Sequence, residues 1–330
     1  MFFNNKIRLS ILSLYMLGLF ACVNDSKPTQ PTKPIQTPKT NTTVKVPDFN
    51  ADKAYEYIQK QVDFGPRVPG TETHKACADW LEATLKEKAD EVVVQKETVT
   101  VFDGTKVPMY NVIASFNPEN PKRIMLSAHW DTRPFADQDT ERKEEPIEGA
   151  NDGGSGVGVL LAIADVLKEN DLDLGIDIFL WDVEDYGKGK AETYCLGSQY
   201  WSRNPHEAGY EARYGILLDM VGGKNAVFYQ EGHSLQYAGS VVNKFWKAAH
   251  KAGYSGYFPY QRVNPITDDH FFINVMAGIP TIDIIQYDNY AEKGFFEHWH
   301  THGDNMDAID KNTLKAVGQS VLQLLYEEGQ

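Results

Sequence analysis

Six short stretches of this chain place acids or histidines directly after an apolar run or at a predicted helix start. They are Ala128-His129-Trp130-Asp131, Gly149-Ala150-Asn151-Asp152-Gly153-Gly154, Trp181-Asp182-Val183-Glu184-Asp185, Leu218-Asp219-Met220, Thr267-Asp268-Asp269-His270 and His298-Trp299-His300-Thr301. Carboxylate oxygens and imidazole nitrogens are ligands suited to zinc, which accepts four mixed donors. Each stretch alone also fits a turn, a helix cap or a solvated strand end. Their joint occurrence indicates a metal-dependent active site.

The glycines that follow Asp152 do not form a nucleotide-binding loop. A dinucleotide fingerprint that starts at Gly154 requires glycine at the position of Val159, and no phosphate-loop lysine follows. These small residues instead allow a helix to pack closely behind Asp152. The chain also has no Gly-x-Ser-x-Gly element between a strand and a helix with a suitable later histidine, which argues against a serine hydrolase.

Apolar periodicity predicts the elements that must position these residues. Helices are predicted at Asp52–Val62, Thr71–Lys88, Gly153–Leu167, Leu235–Lys251 and Asn312–Glu327, and strands at Glu91–Val101, Tyr110–Phe116, Arg123–Ala128, Ile176–Trp181, Ile216–Met220 and Thr281–Ile285. Strands that alternate with helices predict a single α/β domain over residues 48–330, with a central mixed sheet flanked by helices on both faces. Working residues of such folds collect at the strand ends, where these stretches lie.

The N-terminus predicts export. Two basic residues precede the apolar run Leu9–Ala21, which fits a signal peptide over residues 1–21 and is shorter than the roughly 20 apolar residues of a membrane-spanning helix. Leu19–Cys22 resembles a bacterial lipoprotein box, so lipidation of Cys22 is expected; a plain signal peptide is the alternative. Residues 22–47 are rich in proline and threonine and predict an extended tether. The expected location is the periplasmic side or outer membrane of a bacterium, reached only through the lipid anchor.

Charge and cysteine content narrow the remaining classes. The 330 residues contain 46 acids and 32 bases, a formal net charge of −14, and no basic stripe offers a surface for nucleic acid. Beyond Cys22 only Cys77 and Cys195 remain, too few for a disulfide framework. They could form one bridge or stay as two buried thiols.

The order of the motifs resembles the zinc aminopeptidase superfamily and is most similar to its glutaminyl cyclases, over about residues 50–327. The resemblance rests on Phe64-Gly65-Pro66-Arg67, His129-x-Asp131, Asp152, Glu184-Asp185, Asp219, Asp268-Asp269-His270 and Trp299-His300-Thr301. Three features favour the cyclases over the aminopeptidases. Asp268 directly precedes Asp269-His270, Trp299 directly precedes His300, and Phe295 stands four residues before Trp299.

The resemblance implies an enzyme that closes the N-terminal glutamine of peptides or proteins into pyroglutamate and releases ammonia. The implied residues are Asp152, Asp185 and His300 as ligands of one zinc ion per chain, Glu184 as general base and acid, Asp219 and Asp268 as groups that share a proton or hydrogen-bond each other and hold the substrate nitrogens, and Trp299 and Phe295 as walls of the substrate slot. Two departures from the cyclase pattern bear on the pocket. Asp185 replaces a longer glutamate, and residues 186–190 lack a tryptophan, so either Tyr194 or a residue of the 132–148 loop forms that wall, or the pocket is more open.

Two other functions remain open from the residues. A dinuclear zinc aminopeptidase would use five ligands, namely His129, Asp152, Asp185, Asp219 and His300. His129 would then bind a second zinc ion, whereas in a cyclase His129 and Asp131 would be structural hydrogen-bonding groups. A catalytically silent binding lipoprotein is the third hypothesis, and the intact Glu184 argues against it.

Overall fold

The computed structural model describes residues 45–290 and 294–330. The predicted signal peptide 1–21, Cys22 and nearly all of the tether predicted for residues 22–47 lie outside the described residues, and the predicted domain start at residue 48 stays a prediction. The described helices are α1 (Ala51–Val62), α2 (Glu72–Lys86), α3 (Gly154–Glu169), α4 (Leu196–Arg203), α5 (Gly232–Lys251), α6 (Asp269–Phe272) and α7 (Lys311–Glu328). The described strands are β1 (Glu91–Thr100), β2 (Lys106–Phe116), β3 (Arg123–His129), β4 (Gly175–Trp181), β5 (Tyr214–Asp219) and β6 (Thr281–Ile285).

The six strands form one mixed sheet in the order β1-β2-β4-β3-β5-β6. Strands β1, β2 and β4 pair antiparallel, and β4, β3, β5 and β6 pair parallel. The carboxyl ends of the four parallel strands therefore meet at one edge. His129 ends β3, Asp219 ends β5, and Asp182 directly follows β4. The predicted α/β fold with a central mixed sheet is confirmed, and its topology brings the polar strand ends together.

Helices cover both faces of the sheet, as predicted. Successive side chains of a strand point to opposite faces, so Leu126 and Ile178 join the larger apolar cluster, which includes residues of α1, α3, α5 and α7. Their neighbours Met125 and Phe179 join a smaller cluster with Trp201 of α4. Sandwiching between two layers holds the parallel strands, and with them the loops that leave their carboxyl ends.

Helix α4 was not predicted from the sequence. After Leu196 its first turn consists of the small or polar residues Gly197, Ser198 and Gln199, which give no clear apolar period. Tertiary packing fixes it, because the Trp201 ring lies 5.0 Å from Phe179 and 5.5 Å from Trp181, measured between centroids. Strand β5 ends at Asp219 rather than at the predicted Met220, whose φ of 48° leaves the extended region.

Cys77 and Cys195 are both buried and free, so the two thiols do not form a bridge. Among residues 45–290 and 294–330, the helices are all too short or too polar to cross a bilayer.

Candidate active site

The structure brings together Asp152, Asp185 and His300, the three predicted zinc ligands. Asp152 precedes α3, Asp185 follows β4, and His300 lies between β6 and α7. His300 Nε2 is 3.3 Å from Asp185 Oδ1 and 3.7 Å from Asp152 Oδ2, and one candidate ligand atom from each residue lies within 4.8 Å of the other two. Asp185 Oδ2 is buried without a hydrogen-bond partner in the described residues. Two carboxylates, one of which has this unpartnered oxygen, and one imidazole fit a zinc ion whose fourth position is open.

His129 lies beside this group and contacts both Asp152, which belongs to the group, and Asp219, which does not. Its Nε2 is 3.1 Å from Asp152 Oδ1 and 3.2 Å from Asp219 Oδ1, so these three residues form a second group with metal-ligand spacing. Burial opposes the charged form, but hydrogen bonds to Asp131, Asp152 and Asp219 raise the pKa of His129 well above its usual value. His129 is therefore suited to be a protonated partner of both aspartates or, once deprotonated, a ligand of a second ion.

Asp131 holds the backbone that carries the acidic pair. It is fully buried, and its two carboxylate oxygens accept from the backbone N–H groups of Glu184 at 2.9 Å and Asp185 at 3.2 Å. The preceding Val183 has a φ of 54°, a conformation that a β-branched residue rarely adopts. Such strain persists where surrounding contacts hold it, and it is frequent at active sites. This geometry suits the structural role that the cyclase resemblance implies for Asp131.

One cavity of about 200 Å³ unites the predicted site. Its lining includes the ligands Asp152, Asp185 and His300, the carboxylates Glu184, Asp219 and Asp268, and the aromatic residues Phe295 and Trp299. Tyr194 also lines it, whereas residues of the 132–148 loop do not, so Tyr194 occupies the wall left without a tryptophan. The sequence did not point to Met220, Ile266 and Ile285, which add apolar surface.

The cavity's carboxylates outside the ligand group are electrostatically crowded. Burial raises the pKa of Glu184 well above its usual value, with the charges of Asp185 and Asp268 adding to this and His129 opposing it. Burial likewise raises the pKa of Asp219 to about 7 and raises that of Asp268. Groups whose pKa is moved toward neutrality are suited to accept and return protons during a reaction.

Two aromatic rings form one side of the cavity. The Trp299 ring stacks on His300 with a centroid distance of 3.8 Å and an interplanar angle of 25°. The Phe295 ring lies 4.4 Å from Trp299 at 35°. The slot therefore has a flat apolar wall, which can contact the aliphatic part of a substrate side chain.

Four buried or half-buried residues around the site were missed from the sequence. Asp304 accepts from the backbone N–H groups of Asn151 at 2.7 Å and Asp152 at 3.0 Å, the Cys195 thiol lies 3.2 Å from Glu184 Oε1, and Arg133 and Asp137 contact Asp185 and His300. These contacts join residues that are distant in the sequence, so no local sequence pattern predicts them. The only signal was the position of Arg133 just after the His129-x-Asp131 stretch.

In this α/β fold, two carboxylates and one imidazole converge at the carboxyl ends of the parallel strands. Such a site is typical of metal-dependent α/β enzymes. The chain belongs, more particularly, to peptidase family M28, which matches residues 111–325. This family confirms the resemblance to the zinc aminopeptidase superfamily and agrees with a zinc-binding site.

Solved structures of bacterial proteins cover nearly the same fold. A Bacteroides thetaiotaomicron glutaminyl cyclase bound to N-acetylhistamine is 54% identical with a TM-score of 0.83, covering 86% of this chain and 99% of that chain. A Porphyromonas gingivalis glutaminyl cyclase is 52% identical with a TM-score of 0.83, covering 85% and 99%. A structure named as a leucine aminopeptidase precursor, also from B. thetaiotaomicron, is 54% identical with a TM-score of 0.82, covering 86% and 99%.

Curated sequence relatives are more distant. Aminopeptidase YwaD of Bacillus subtilis is 28% identical over 73% of this chain, and the chain spans only 50% of that protein's length. A Drosophila melanogaster glutaminyl-peptide cyclotransferase is 24% identical over 75% of this chain and 73% of its own length. The similar proteins thus carry both cyclase and aminopeptidase names.

Proposed function

We propose that this chain is a zinc-dependent glutaminyl-peptide cyclotransferase, an acyl-transfer enzyme that converts the N-terminal glutamine of peptides into pyroglutamate and releases ammonia. The observation that carries the proposal is the position of Asp268. Its carboxyl group lines the cavity that Glu184 also lines, and its Oδ2 is buried without a hydrogen-bond partner in the described residues. From the wall of the cavity, the Asp268 carboxyl group can bind a substrate nitrogen. The glutaminyl cyclases among the similar structures support the same conclusion.

Asp152, Asp185 and His300 would hold one zinc ion. When bound, zinc supplies Lewis-acid polarisation of a carbonyl and stabilises the oxyanion formed from it. The carbonyl in this reaction is the side-chain amide of the substrate glutamine. Trp299, which stacks on His300, lines the same cavity and would guide that side chain toward the ligand group.

The residues of the chain would carry the proton transfers. The α-amine of glutamine attacks the carbon of its own side-chain amide, and a five-membered lactam ring forms as the new C–N bond closes. Glu184 takes the proton that the attacking amine loses and returns it to the amide nitrogen, whose bond to carbon then breaks to release ammonia. Asp219 and Asp268 hold the amine and the leaving nitrogen. Because both reacting groups belong to one residue, holding the folded side chain supplies much of the catalysis.

A dinuclear aminopeptidase is the second candidate, and one observation favours it. His129, Asp152 and Asp219 form a second group with metal-ligand spacing. With two ions, the same cavity would activate a water molecule to cleave the first peptide bond of a substrate.

Two peptides that differ only in their first residue separate these functions. The zinc-loaded protein is incubated with a glutamine-initiated peptide and with a leucine-initiated one, and ammonia, mass and free amino acids are measured. The cyclase releases ammonia from the first peptide without cleavage. Free leucine from the second would establish the aminopeptidase, and no product from either would favour the binding lipoprotein.

We also propose that the chain is exported and anchored by lipidation of Cys22. The basis is the apolar run that ends at this cysteine and the tether that follows it. Expressed in a bacterium that processes lipoproteins, the wild-type chain is expected in the membrane fraction, and the Cys22→Ala variant outside it. A wild-type chain recovered only in the soluble exported fraction would contradict the anchor and leave a plain signal peptide.

A further inference from the structure

We propose that Arg133 and Asp137 act as one positioning unit that orients two predicted zinc ligands, Asp185 and His300. The inference rests on the proposed function only through the zinc site. Neither Arg133 nor Asp137 lines the cavity, so any effect of the pair on the reaction passes through the ligands that it contacts.

Arg133 holds the segment that carries Asp185. Its side chain is 1% exposed, and Nη1 donates to Asp185 Oδ1 at 3.0 Å, to the Asp185 carbonyl at 3.0 Å and to the Gly187 carbonyl at 3.3 Å. Asp185 Oδ1 is thereby committed to the guanidinium group, while Oδ2 is buried without a partner in the described residues. The planar, rigid guanidinium fixes the direction of the carboxylate. Arg133 thus orients the carboxylate that Asp185 offers to the ion.

Asp137 joins this guanidinium group to His300. Its Oδ1 and Oδ2 accept from Arg133 Nε and Nη2, both at 2.9 Å, and Oδ1 also lies 3.1 Å from His300 Nδ1. A carboxylate at Nδ1 fixes this nitrogen as the N–H donor and leaves Nε2 to bind a metal. His300 Nε2 indeed points toward the ligand group, at 3.3 Å from Asp185 Oδ1. A continuous series of charged hydrogen bonds therefore ties one ligand to the other.

The same loop provides a matched comparison in Asp139. Asp139 Oδ2 accepts from the backbone N–H of His302 at 2.9 Å and lies 2.8 Å from His302 Nδ1. His302 is not a predicted ligand. The side chains of Asp137 and Asp139 are 35% and 20% exposed, and asparagine has nearly the size of aspartate, so either substitution removes a charge without leaving a cavity in the core. The two aspartates differ in two respects: the histidine of Asp137 faces the metal group, and Asp137 also accepts from Arg133.

The test compares Asp137→Asn with Asp139→Asn. Three quantities are measured: zinc affinity by competition with a chromophoric chelator, the visible absorption spectrum of the cobalt-substituted protein, and the thermal unfolding midpoint of the zinc-free protein. Asparagine cannot accept from the arginine fork and from the histidine as the carboxylate does. We expect Asp137→Asn to bind zinc about 10- to 100-fold more weakly and to change the cobalt spectrum, while the zinc-free protein still unfolds in one cooperative transition, at a somewhat lower midpoint because Arg133 loses a charged partner. Asp139→Asn is expected to match the wild type in all three.

Several results would overturn the positioning unit. One is wild-type zinc affinity and an unchanged cobalt spectrum in Asp137→Asn; another is an equal loss of affinity in Asp139→Asn. Arg133→Lys keeps the charge but not the fork, and as a member of one unit it should add little to the loss in the double variant with Asp137→Asn. Additive losses would show two independent residues. A wild-type protein that binds zinc without cyclising glutamine would reject the proposed function and leave this test intact.

Discussion

The cavity has two sides that use buried carboxylates for different purposes, metal binding on one side and proton transfer on the other. The metal side consists of Asp152, Asp185 and His300, and the proton side consists of Glu184, Asp219 and Asp268. On the metal side, burial opposes ionisation of Asp185, but the charges of His300 and Arg133 outweigh it and lower the pKa of this carboxyl group. On the proton side, burial and neighbouring carboxylates raise the pKa of all three acids, that of Asp219 to about 7.

The difference shows that a buried carboxylate takes its function from its neighbours. Asp185 lies 3.0 Å from the Arg133 guanidinium group and stays anionic, ready for a cation. Asp268 contacts no arginine or lysine in the described residues. Burial, with the charge of Asp152 adding to it and those of His270 and His129 opposing it, raises the pKa of Asp268, so this carboxyl group holds a proton more readily. A carboxylate beside a fixed cation suits metal binding, and a crowded carboxylate suits proton transfer.

Removing zinc should abolish the function of the metal side entirely. Dialysis against a strong chelator is expected to lower kcat/KM for a glutamine-initiated peptide by about a thousandfold or more, because a bound ion supplies several kcal/mol of transition-state stabilisation. Re-addition of zinc should restore activity, and metal analysis of the active protein should give about one zinc per chain. Full activity after complete zinc removal would contradict the division into two sides, and two tightly held ions would favour the aminopeptidase.

Glu184→Gln tests the proton side alone. Glutamine keeps the size of the side chain but cannot take up the proton, so kcat should fall by about a hundredfold to ten-thousandfold while zinc content stays at the wild-type level. Glu192→Gln, at an exposed carboxylate nearby, serves as the control and should be active. Turnover close to that of the wild type would remove Glu184 from its assigned role.

Asp268→Asn tests a second acid of the proton side and should have a smaller effect on activity than Glu184→Gln. Asp268 is the N-cap of α6, and its Oδ1 accepts from the backbone N–H of Asp269 at 2.5 Å. Asparagine is also a good N-cap, so the helix should persist. Loss of one charged hydrogen bond to the substrate should lower kcat/KM by about 10- to 100-fold without loss of zinc. If the zinc content fell in parallel, Asp268 would belong to the metal side instead.

The sequence predicted the sheet and the six polar stretches because strands and their ends carry local patterns. Residues such as Asp152 and Glu184 stand out since acids follow apolar runs or open a helix there. It did not predict Asp137 or Asp304, which reach the site only through loop packing. It also could not divide the acids into two sides, because Asp185 and Asp268 differ in their neighbours rather than in type.

Trp299 stacks on the predicted ligand His300 and lines the cavity, and replacing it should have the smallest effect. Trp299→Leu keeps an apolar side chain but loses the stack on His300, a contact worth about 0.5–1.5 kcal/mol beyond its buried area. Because Trp299 forms a wall of the substrate slot, its replacement should raise KM about 2- to 10-fold, with little change in kcat or zinc affinity. Phe295→Leu is the matched variant, since Phe295 contacts Trp299 and lines the cavity. If Trp299→Leu weakened zinc binding and Phe295→Leu did not, the tryptophan would act through His300, because only its ring stacks on the imidazole.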